Sequence, residues 1–180
     1  MTWLDDVKIK LKRKNQILFR KDCEFLEDLA SLVEKQSRIV LVMWAFDLAC
    51  ESIEVLEEKY PQENRPRDAL TYSKAWARGE IKMPVAQRKI LDCHGFAKEI
   101  DNKEDIATVH AVGQACSVVH TAGHAMGYPI YDLTSIVHRY GIDDCFDFIE
   151  SRKEEYIDKL DYWSKNKDIY NFTWADFLLK

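Results

Sequence analysis

Several common sources of stability and chemistry are missing from this sequence. The chain of 180 residues holds five cysteines, Cys23, Cys50, Cys93, Cys116 and Cys145, an odd number with no CxxC pair. Neither a disulfide framework nor a cysteine-based metal motif is indicated, and reduced, buried thiols of a cytoplasmic protein fit better. The N-terminus MTWLDDVKIKLKRKN lacks an apolar core of signal-peptide length followed by a small-residue cleavage site, so export is not expected. No repeat, low-complexity tract or long linker divides the chain, whose length suits one domain burying roughly 70% of its unfolded surface.

Motifs are equally scarce. No GxSxG elbow, Walker loop or Rossmann fingerprint occurs, which argues against serine-hydrolase and nucleotide chemistry. The net charge of -5 opposes nucleic-acid binding, and the one basic run, KIKLKRK at Lys8 to Lys14, reads as a solvated face. Ile106 to Tyr131 contains no Asp, Glu, Lys or Arg, yet three histidines, Gln114, three glycines and Pro129 make it a buried helix rather than a membrane span.

What is present is helical periodicity. Leu26, Leu29, Leu32 and Val33 repeat at three-and-four spacing within Cys23 to Lys35, and Ser37 caps a helix that runs to Tyr60 before Pro61. Pro66 and Gly79 bracket a short helix; further helices are predicted over about 84–100 and 102–127, and from Pro129 to Gly141. A long amphipathic helix follows Asp143, and Thr173 with Asp176 resembles a capping box. VKIKLK is either an edge strand or a fraying helix. The expected fold is all-α: a single-domain bundle of about seven helices. It divides into an N-terminal helical extension (1–37), a core (38–138) and a C-terminal amphipathic helix packed on that core (139–180).

Two helices have unusual interiors. IVLVMWAFDLAC, Ile39 to Cys50, is apolar around almost its whole circumference, so Asp47 should be partly buried, with Glu51 one turn on. In SVVHTAGHAMGY, His120 and His124 share a narrow face with Gly113, Gly127, Cys116 and Ser117. Glycines on a helix sacrifice about 1 kcal/mol each against alanine, which suggests a close backbone approach or room for a ligand.

Three readings of this stripe stand side by side. His120, His124, Asp47 and Glu51 could hold a divalent metal between two helices, although HTAGH lacks the glutamate of HExxH and no ExxH pair is present. Alternatively the same groups, with His94, Arg67 and Arg78, form an internal hydrogen-bond network that needs no cofactor. A small-ligand pocket is the third. Cys116 would need a depressed pKa that an apolar helix does not provide, so no catalytic residue is assigned. Arg65, Arg67, Trp76, Arg78 and Glu80 combine forked donors with an indole, the composition of a partner surface, or else anchor their helix to the bundle.

The stretch WAFDLACESIEVLEEKYPQENRPRDALTYSKAWARGEI, with CHGFAKEI and AVGQACSVVHTAGHAMG, resembles a bacterial "putative immunity protein" family of small helical proteins from polymorphic toxin systems. The similarity covers Arg38 to Val137 and is carried by Trp44-Ala45, Arg65-Pro66-Arg67, the Ala75 to Gly79 run and the His120/His124 segment. Gly95 departs from the pattern. The resemblance implies a module that binds a cognate toxin, and the expected mode of action is stoichiometric occlusion of that partner without turnover. A metal-dependent hydrolase and a structural or ligand-binding bundle are the alternatives, and the aromatic C-terminal helix could pair two copies.

Overall fold

The computed structural model describes residues 1–169 and 172–180, and among these the protein is all-helical, with eight α-helices and no strand. Helix α1 (Trp3–Lys12) absorbs the VKIKLK stretch. Thr2 and Asp5 form a reciprocal capping box, and acids in the first turn and lysines in the last both complement the helix dipole. Val7 is buried and Leu11 half-buried, one turn apart, while Ile9 is left exposed. The alternation with lysine is therefore incidental to a helical face.

A short 3-10 turn, Glu24–Leu26, leads into α2 (Glu27–Glu34). Helix α3 (Arg38–Lys59) starts at Ser37, whose hydroxyl accepts from the Val40 amide. Trp44 of α3 is fully buried and donates from Nε1 to the Tyr156 carbonyl at 3.0 Å. Burial of that indole supplies on the order of 4–6 kcal/mol of transfer free energy, and the hydrogen bond keeps its one polar atom from cancelling the gain. Helix α4 (Arg65–Ala77) has Pro66 in its first turn and stops at Gly79, whose φ of 76° only glycine adopts readily.

Helices α5 (Met83–Phe96), α6 (Lys103–Ser117) and α7 (Gly127–Tyr140) follow, with α6 at the centre, packed against α3, α4, α5 and α7. Asn102 caps α6 through the Asp105 amide. Helix α8 (Phe146–Asn166) lies across α3, α7 and α2. The final 3-10 turn, Asp176–Leu178, follows Ala175 without a side-chain cap, so Thr173 does not serve the capping role assigned to it. No described helix is long and apolar enough to cross a membrane.

The main departure from expectation concerns the stretch over 102–127, which is not one helix. Helix α6 ends at Ser117; the chain then turns through His120, extends at Thr121, and makes a 3-10 turn, Ala122–His124, before α7. Arg38 of α3 explains how the break is held: one of its terminal nitrogens donates to the carbonyls of Val119 (2.9 Å) and His120 (3.0 Å). A guanidinium from a distant helix thus satisfies carbonyls that a helix end would leave without partners.

Candidate functional site

The turn at 118–124 separates the two histidines. His120 is exposed and its ring stacks on buried Trp76, with centroids 6.3 Å apart. His124 is half-buried, with Nδ1 3.2 Å from the Gln114 side-chain oxygen, and burial lowers its pKa.

Asp47 and Glu51 do share a face of α3, as their spacing indicates, but that face meets α8. Lys159 donates to Asp47 at 3.1 Å and pairs with Glu51 at 2.8 Å, and Trp163 Nε1 donates to Asp47 at 3.0 Å. The carboxylates are thus neutralised by the amphipathic C-terminal helix, and the structure does not gather His120, His124, Asp47 and Glu51 around one point. No group of three or more His, Cys, Asp or Glu able to hold a metal ion occurs among the described residues.

The room implied by the glycines is filled. A Cβ on Gly113 would lie 2.3 Å from His94 Nε2, and one on Gly127 would lie 2.4 Å from the Gln114 side-chain oxygen. Gly113 thus admits the His94 ring, whose Nδ1 lies 2.7 Å from His110 Nδ1. Burial, then His110 and His124, push the His94 pKa down to about 4, and burial lowers that of His110.

A different polar cluster lies between α3, α7 and α8. Arg152 donates from Nε to Asp132 (2.7 Å), pairs with Glu51 and Glu155, and reaches the Tyr128 hydroxyl at 3.2 Å. The Tyr156 hydroxyl also donates to Asp132, and Ser52 shares a 2.7 Å hydrogen bond with Tyr128. Tyr128 and Tyr156 are fully buried, and burial raises both phenolic pKa values. Asp132 Oδ2 accepts from both Arg152 and Tyr156, and these charge-assisted bonds offset the cost of burying the ion pair. Beside it opens a cleft of about 340 Å³ whose wall includes Val55, Arg139, Glu155 and the parallel pair Tyr140–Phe148, 3.7 Å apart. Asp132 is the sole acid within Ile106 to Tyr140, so the reasoning applied to Asp47 would have singled it out.

The model of the Imm-5 like putative immunity protein family matches residues 31–160. The chain belongs to this family. No curated protein and no solved structure matches it.

The match to the immunity-like family starts within α2 and runs into α8, beyond both ends of the resemblance visible at Arg38 to Val137. It includes all of the Asp132–Arg152 cluster. The family-like motifs have structural work. Arg65 is held by Glu63 and Glu99 and lies over the Phe96 ring, and Arg67 makes a two-pronged pair with Glu57 at 2.8 and 2.9 Å. Trp76 is 4% exposed, packed between His120 and Phe177. Arg78 covers Phe172, and its Nε has no hydrogen-bond partner among the described residues. Of the five residues assigned to a partner surface, Glu80 is exposed and Trp76 is an internal anchor. Arg67 and Arg78 meet neither Asp47 nor Glu51 in any ion pair among the described residues, because Lys159 and Arg152 already fill that role.

Proposed function

We propose that this protein neutralises a cognate protein toxin by stoichiometric binding, and membership of the immunity-like family is the observation that carries the proposal. The chemistry of the interior supports occlusion over turnover. Burial raises the thiol pKa of Cys93 and Cys116, the reverse of what a nucleophile requires, and the charged groups around Asp132 and Asp47 are spent on one another.

The docking face is the cleft between α7 and α8. Phe148 and Val55 are 47% and 43% exposed there, beside Arg139 and the Tyr140 ring. Aromatic and arginine side chains at a concave surface give a partner large contact area at small entropic cost, and the acidic rim steers a basic one.

Co-expression with the protein encoded next to it tests the reading. The pair should co-purify, and Phe148→Ala combined with Arg139→Ala should weaken the complex by about tenfold to a thousandfold, the 1.4–4 kcal/mol of a hot-spot pair. Protection of cells without any complex under the same conditions would refute it.

A further inference from the structure

We propose a second site, unrelated to the docking cleft: a pocket for a small phosphomonoester where α1, α6 and α7 meet. The pocket holds about 240 Å³ and is lined by Lys14, Lys103, His138, Asn15 and Gln16 over an apolar floor of Leu11, Ile106 and Ala107. No carboxylate lines it, although the protein as a whole carries a net charge of -5. The two lysines supply positive charge, the side-chain amides and the ring can each turn an N–H toward the same point, and a dianion with three acceptor oxygens is the ligand that matches them.

The local charges are arranged to leave this pocket positive. Lys10 and Lys59 are taken by Asp6 and Asp105, whereas Lys14 and Lys103 form no ion pair among the described residues. The acids of the first turn of α6 turn toward α3 and α7: Asp105 accepts from Lys59 and Tyr60, and Glu104 faces Lys59 and Arg139. Burial, and then the charge of Lys103, lower the His138 pKa, against a smaller opposing effect of Glu104, so at neutral pH it offers a ring N–H without charge. Lys103 is the first residue of α6, so the positive pole of that helix adds to the field.

The backbone of Lys14 is the second observation. It has a φ of 58° at the end of α1, where its amide donates to Leu11 and the next amide to Lys10, a helix-ending turn that favours glycine. A lysine held there costs stability, and strain of this kind collects at ligand sites. Lys14 also ends the KIKLKRK run, which the toxin-binding reading leaves unused. The phosphate group would sit among Lys14, Lys103 and His138, and a short organic stem would rest on Leu11 and Ile106.

Titration of the full chain with inorganic phosphate and with glycerol 3-phosphate in low-salt, phosphate-free buffer, followed by amide NMR, tests the site. Saturable shifts are expected at Asn15, Gln16, Ile106 and His138, with glycerol 3-phosphate the tighter ligand and chloride at equal ionic strength inert. Lys14→Gly should raise the melting temperature by relieving the backbone while weakening binding about tenfold, the loss of one charge-assisted contact. Lys103→Gln should weaken binding similarly, and Lys8→Gln, outside the pocket, should change it less than about twofold. Absence of saturable shifts, equal binding by the Lys14→Gly and Lys103→Gln variants, or binding confined to phosphatidic acid vesicles would each overturn the proposal.

Discussion

His94 and His110 face each other nitrogen to nitrogen: their Nδ1 atoms are 2.7 Å apart and their ring centroids 5.0 Å. Only one hydrogen fits between them, so the pair is stable with at most one ring charged. Both pKa values lie below the ordinary range, His94 at about 4. An unfolded histidine titrates near about 6.5, so between that pH and about 4 the unfolded chain binds more protons than the folded one. Stability should be full above pH 6.5 and fall as the pH drops. His124 and His138 are lowered as well and act in the same direction. Urea unfolding from pH 7.5 to 4.5 should show this slope, and His94→Phe should flatten it; a stability independent of pH in that window would contradict the pairing.

Gly113 and His94 are coupled by contact. Gly113→Ala forces a Cβ onto the imidazole and should cost about 1–3 kcal/mol, as overpacking does. In a His94→Ala background the same substitution should cost little, because the obstacle is gone and alanine is the better helix former. Chemical denaturation of the four proteins in the cycle gives the coupling. Additive effects would show that the ring does not fill that space.

These contacts also mark how much the sequence discloses. The helical class, the Ser37 cap, the Gly79 and Gly141 stops and the shared face of Asp47 and Glu51 follow from periodicity and punctuation, which are local. The end of α6 is not local: no proline or glycine stands at Ser117 or Val118, and the carbonyls there are satisfied by Arg38 from another helix. For the same reason the helical face that periodicity gives His120 and His124 does not exist in the folded chain. The partners of Asp47 were hidden in α8, whose Lys159 looks in sequence like one cation among many on a charged helix. VKIKLK misled differently, since a pattern of only six residues satisfies both periods until a capping box at Thr2 decides it.

The Arg38 contact gives its own prediction. Arg38→Leu removes three hydrogen bonds to carbonyls, those of Val119, His120 and Phe177. A loss of about 1.5–3 kcal/mol is expected. Amide exchange should accelerate selectively over Val118 to His124 and around Phe177. Uniform acceleration across all helices would instead mean that Arg38 supports the whole bundle.

The Asp132–Arg152 pair should behave as buried charges do. Asp132→Ala leaves a largely buried guanidinium without its most buried carboxylate partner, with only the more exposed Glu51 and Glu155 remaining, and should destabilise the protein by about 2–4 kcal/mol. Replacing both with leucine should cost less than the single change, since Glu51 keeps Lys159 and Glu155 is exposed to water. A double variant as unstable as the sum of the singles would show that the cluster contributes through geometry rather than charge balance.

The central claim is stoichiometric neutralisation, and the most direct measurement is toxin activity titrated against this protein at toxin concentrations well above the dissociation constant. The predicted curve falls linearly and breaks at one protein per toxin, with activity restored when the complex is dissociated. Complete loss of toxin activity at a small fraction of an equivalent, growing with time and persisting after separation, would contradict the claim and mark the protein as an enzyme acting on its toxin.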